Sequence, residues 1–128
     1  MRLDPVSGRG HVLAWFGLVG GPAAWTAEHI VGYGMTEAAC GAGGSAWGID
    51  TTTWELALTL ATAAIVLTAV AASATMVFAT RGVHHDGPPP LGRLHFMAVA
   101  GLFVATLFLF LTLMAGLGAV TLAGCHQG

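Results

Sequence analysis

Residues 56–79 read LALTLATAAIVLTAVAASATMVFA and residues 96–123 read FMAVAGLFVATLFLFLTLMAGLGAVTLA, and neither stretch holds a charged side chain. Each exceeds the roughly 20 residues needed to cross a ~30 Å hydrocarbon layer at about 1.5 Å per helical residue. Hydrocarbon offers the backbone no water to bond, so a crossing segment must close its own hydrogen bonds as a helix. A third apolar run extends from Val12 to about Tyr33 and is interrupted by Pro22, Glu28 and His29. The expectation is an all-α membrane protein with three transmembrane helices, at about residues 11–34, 54–80 and 94–123, in one integral domain spanning 1–128. The first run is read as a retained helix rather than a cleaved leader.

Composition supports a lipid solvent. The chain of 128 residues is 55% hydrophobic and 8% charged, where a soluble domain carries about a quarter charged residues. Its formal net charge of −2 is too weak to suggest nucleic acid as a partner. The basic residues are four arginines: Arg2 and Arg9 precede the first apolar run, and Arg81 and Arg93 lie between the second and third. Positive residues flank spans on the cytoplasmic side. Three crossings then place the N-terminus in the cytoplasm and the C-terminus outside, in the periplasm of a bacterial inner (plasma) membrane.

Local signals refine that outline. Gly8 and Gly10 argue against a helix start before His11, and Thr51, Thr52 or Thr53 is expected to cap the second helix, with Glu55 in its first turn. Pro88, Pro89 and Pro90 impose an extended connection before the third helix. In the second helix Ala57, Ala61, Ala64, Thr68, Ala71 and Thr75 recur at spacings of four and three, a seam of small residues expected to face a neighbouring helix. Gly17 and Gly21 form a GxxxG pair with the same purpose. The bulky third run, with Phe103, Leu107, Phe108, Phe110 and Leu111, is expected to meet lipid or a larger partner. Pro22 is expected to kink the first helix, and Trp25 and Tyr33 to anchor it at the interface.

Three sets of residues are candidates for chemistry. Cys40 and Cys125 should share the outer face, an oxidising compartment in which a disulfide is the first reading. Two free thiols are the bland alternative. The sharper one is a copper site formed with Met35 and His126, since soft sulfur and imidazole suit copper. Glu28 and His29 lie within an apolar run, where an ionisable group costs about 2.5–3.5 kcal/mol at the bilayer centre. They are read as a polar or partner contact, with proton handling as the functional alternative. His11 and His95 stand at matching depths and form a candidate haem pair; His84 and His85 are expected to be solvated. The sequence holds no HExxH, CxxC or phosphate-cradling motif, and an enzyme is not expected.

The residues Gly21-Pro22, Trp25, His29, Tyr33 and Cys40 form the pattern GPxxWxxxHxxxYxxxxxxC, with Cys125 following the last apolar run. This pattern resembles a group of small three-span bacterial membrane proteins associated with haem-copper cytochrome oxidases. The resemblance implies a non-catalytic accessory subunit beside larger membrane subunits of an electron-transfer complex. Haem and copper would belong to that complex and not to this chain. The alternative is a small haem-binding or copper-delivery membrane protein, and a third possibility is a small transporter with Glu28 and His29 in a polar path.

Overall fold

The computed structural model describes residues 4–41, 50–84, 86–122 and 125. Arg2, His85 and His126, which figure among the residues singled out above, lie outside the described residues. The fold is three helices in up-down-up order: α1 (Gly8–Cys40), α2 (Thr51–Ala79) and α3 (Leu91–Thr121), each packed against both others. No strand occurs among the described residues.

The all-helical expectation holds, but three transmembrane helices do not. Among the described residues, only α2 and α3 are long and apolar enough to cross a membrane. The reason lies in what α1 carries along its length. Glu28, His29 and Glu37, together with Pro22 and seven glycines from Gly8 to Gly34, dilute its apolar content below that of a span. The three-crossing topology, which joined an arginine-marked cytoplasmic N-terminus to a C-terminus outside, falls with the third span.

Helix starts depart from the sequence expectation in instructive ways. α1 begins at Gly8, three residues before His11, because Ser7 caps it: its hydroxyl oxygen accepts from the Gly10 amide. Gly10 is required there by closeness, since a Cβ would run into the Pro5 carbonyl. α1 then continues without a break through Pro22 to Cys40. The cap of α2 is Asp50, one residue ahead of the threonines expected in that role. Its carboxylate accepts from the Thr53 amide and hydroxyl, both at 3.1 Å.

The core mixes alanines with a few larger apolar side chains. Ala14, Met76, Leu94, Met97 and Ala98 form a buried cluster at the arginine-bearing end. Higher up, Gly17 of α1, Ser73 of α2 and Gly101 of α3 meet at one point. A Cβ on Gly101 would stand 2.8 Å from Ser73 Oγ, 3.0 Å from the Gly17 carbonyl carbon and 3.1 Å from the Leu18 nitrogen. Gly21 is buried against Ala105 and Phe108 of α3, so the GxxxG pair does admit close neighbours.

The expected seam on α2 is turned the other way. Ala57, Ala61, Ala64, Thr68, Ala71 and Thr75 are all exposed, and the packed face is Thr59, Thr62, Val66, Ala69, Ala72, Ser73 and Met76. Both stripes have helical spacing and small residues, so periodicity alone does not choose between them. The face that carries Thr59 and Ser73 wins because those side chains fit glycines and a carboxylate on the neighbouring helices. Of the bulky α3 residues, Phe103, Leu107 and Phe110 are exposed as expected, whereas Phe108 and Leu111 are half-buried, Phe108 against Gly21 and Trp25 of α1.

Candidate functional site

The three helices part at the end joined by the disulfide, leaving a cavity of about 310 Å³. Its walls carry Glu28, His29, Tyr33, Thr36 and Glu37 from α1, Glu55 and Thr59 from α2, and Ala115 and Ala119 from α3. Cys40 and Cys125 close one side. Their sulfurs are bonded, with Cα atoms 5.6 Å apart, inside the usual range for a disulfide. The pairing expected from the sequence is therefore present, and it ties the end of α1 to the segment after α3.

Helical spacing explains the alignment of the α1 residues. Positions 29, 33, 36, 37 and 40 recur at steps of three and four, so they share one face of the helix. On α2, Glu55 and Thr59 are four apart and face them. Thr36 donates its hydroxyl to Glu55 at 2.9 Å, and Thr59 donates to Oε1 of Glu28 at 2.9 Å. Two hydroxyl-to-carboxylate bonds thus link α1 to α2 along the cavity wall.

Glu28 is the unusual member. It is 8% exposed, and while Oε1 takes the Thr59 hydrogen bond, Oε2 is shielded from solvent without a hydrogen-bond partner. By the rise of a helix, Thr59 lies about 12 Å below the start of α2, so this carboxylate is at the bottom of the cavity. Its neighbour His29 is exposed, and its Nδ1–H donates to the Trp25 carbonyl at 2.9 Å. The adjacent pair therefore divides: Glu28 turns inward to α2, and His29 turns along its own helix.

Trp25 is half-buried; its ring lies tilted with its centroid 4.0 Å from that of His29, and it meets Phe108 of α3 edge-on at 5.5 Å. Tyr33 is exposed at the cavity rim. Of the motif residues, Gly21 and Trp25 thus touch α3, and His29 lies against Trp25.

The candidate haem pair has two different settings. His95 is buried, and its Nδ1 lies 2.8 Å from Thr80 Oγ1, whose single hydrogen goes to the Met76 carbonyl at 2.7 Å. Nδ1–H therefore donates to Thr80, and the imidazole joins α3 to the end of α2. His11 lines a separate shallow apolar groove with Val12, Trp15, Phe16 and Ile65. For the copper set, the disulfide occupies both sulfurs, which leaves no thiolate in Cys40 or Cys125 to ligate a metal. Met35 is half-buried on α1. Among the described residues no three His, Cys, Asp or Glu side chains converge closely enough to hold a metal ion directly.

The cavity residues that sequence reasoning passed over are Thr36, Glu37, Glu55 and Thr59. The sequence places Glu55 in the first turn of the second helix and Thr59 within the apolar run. Their spacing of four on α2, opposite Glu28 and Thr36, was the available signal. Compared with known protein families, characterised proteins and solved structures, this chain matches none.

Proposed function

We propose that the chain is a non-catalytic accessory subunit of a membrane electron-transfer complex of cytochrome-oxidase type, multi-pass in a bacterial inner membrane through the α2–α3 hairpin. Arg81, in the turn between α2 and α3, and Arg93, in the first turn of α3, face the cytoplasm. The observation that carries the reading is the outward stripe Ala57, Ala61, Ala64, Thr68, Ala71 and Thr75 on α2. Within the chain both neighbours of α2 pack elsewhere, so this stripe is left open over most of a helix. Small side chains let another helix come close enough for backbone-to-backbone packing, the main attraction available where lipid is as apolar as the protein.

The occupant is a transmembrane helix of a larger subunit. The likeness of the GPxxWxxxHxxxYxxxxxxC pattern to oxidase-associated proteins supports an electron-transfer partner, with haem and copper held there. Lipid covers the bulkier α3 face, where Phe103, Leu107 and Phe110 are exposed. Affinity purification of the tagged chain in mild detergent is expected to recover a large complex with haem absorbance. Replacing Ala64 and Ala71 together by Leu should release the chain from that complex while leaving it folded. Recovery of the unmodified chain as a free, colourless species overturns the reading.

A further inference from the structure

We propose that the groove between α1 and α2 at the arginine-bearing end holds one anionic phospholipid, with an acyl chain along the groove and the phosphate beside Arg9 and His11. The inference rests on α2 and α3 lying in a bilayer, and on no particular partner subunit.

The order of residues along the groove is that of an amphiphile. Val12, Phe16, Val19 and Ala23 recur at steps of three and four on α1, and Ile65 of α2 joins a lining that is apolar except for His11. Val12, Val19 and Ile65 are exposed, so the described residues leave this face open. Arg9 heads the same stripe, three residues before Val12; it is exposed and has no ion-pair partner among the described residues. Trp15, four residues after His11, is 58% exposed. An indole at that level suits the boundary between headgroups and hydrocarbon. Cation, amphipathic ring and hydrocarbon wall thus follow one another along the helix.

Length and depth match one leaflet. From His11 to Ala24 the lining covers about 20 Å of helix, against ~15 Å for half of a ~30 Å hydrocarbon core. Its deep end meets Ile65, which stands midway between Thr51 and Ala79, the ends of α2. A chain entering at Arg9 therefore ends near the bilayer centre. The space of about 760 Å³ lies within the ~300–1,000 Å³ of small-ligand sites. Trp15 and Phe16 hold another helix backbone away from the groove, whereas a flexible acyl chain passes between such side chains.

Charge selects the headgroup. The described residues of this end carry Arg9, Arg81 and Arg93 against Asp4 and Asp86, while Glu28, Glu37, Asp50 and Glu55 lie toward the disulfide end. The net positive end attracts an anionic lipid, and the His11 ring can donate an N–H to a phosphate or ester oxygen.

The test uses the full chain with its disulfide intact, purified in mild detergent and observed by native mass spectrometry with added phosphatidylglycerol or phosphatidylcholine. One phosphatidylglycerol per chain should stay bound, retained about fivefold better than phosphatidylcholine, the factor one arginine contributes beside an anionic headgroup. Arg9→Gln, at an exposed position, should remove that preference. Ala23→Trp fills the groove and should abolish retention, whereas Val31→Trp, exposed toward the other end of α1, should leave it unchanged. No retained lipid, equal retention by Ala23→Trp, or a preference that survives Arg9→Gln would each overturn the proposal. So would a lipid-free dimer that Ala23→Trp dissociates, which assigns the groove to a second copy. A chain that stays monodisperse in water without detergent would refute the bilayer premise and the proposal with it. Failure to co-purify with a haem-bearing complex bears on the accessory-subunit reading alone.

Discussion

The meeting point of Gly17, Ser73 and Gly101 sets how closely the three helices approach, and it makes an asymmetric prediction. A methyl group on Gly17 would overlap Ser73 Oγ and stand 3.2 Å from the Ser73 Cβ and nitrogen. A methyl on Gly101 meets Ser73 Oγ at 2.8 Å, but also the backbone of α1 at 3.0 and 3.1 Å. Alanine gains about 0.5–1 kcal/mol over glycine in a helix, whereas overpacking a tight core costs about 1–3 kcal/mol. Each single Gly→Ala change should therefore destabilise the fold by about 1–2 kcal/mol net. Removing the Ser73 hydroxyl separates the two cases. Gly17→Ala with Ser73→Ala should return to within about 0.5 kcal/mol of the parent, because a side-chain atom was its main obstacle. Gly101→Ala with Ser73→Ala should remain destabilised by about 1 kcal/mol or more, since α1 itself must move. Reversible unfolding in mixed micelles, followed by far-ultraviolet circular dichroism, measures all five proteins. Equal rescue of both glycine variants, or a neutral Gly101→Ala, would refute the packing argument.

Other consequences follow from single contacts. Thr59→Val keeps the shape of the side chain and removes the hydrogen bond to Glu28, so it should cost about 1.5–3 kcal/mol in the same unfolding assay. Cys40→Ser opens the 85-residue separation between the bridged positions, with a loss of up to about 4.6 kcal/mol if the unfolded chain were free; an inserted α2–α3 hairpin reduces that figure. Ser7→Ala should fray the start of α1 at a cost of about 1 kcal/mol, detectable as faster amide exchange at Gly10. Thr80→Val should loosen the end of α2 by removing the bond to His95, visible as a change in the His95 imidazole resonances.

Much of the architecture was legible in the order of residues. The uncharged runs at 56–79 and 96–123 are long enough for any reading to make them helices with lipid-compatible surfaces, and that requires no knowledge of neighbours. The arginine and cysteine placements likewise marked opposite ends of the bundle and a covalent join between α1 and the tail. Membrane crossing by α1 was the point where a purely local reading failed. Its apolar run was counted by length, although Glu28, His29, Pro22 and the glycines lower its hydrophobic content along the same stretch.

What the tertiary structure alone decided is which side of each helix faces inward. On α2 two small-residue stripes are equally good by spacing, and only the shapes of α1 and α3 select the one with Thr59 and Ser73. That selection leaves the alanine stripe open to a partner. It also brings Thr59 to Glu28 across 31 positions of sequence and gathers Glu37 and Glu55 around the same space. Helical periodicity is a property of one segment and can be read along it. Burial of a carboxylate depends on the mutual rotation of three segments, and that is set by close contacts between residues far apart in the chain.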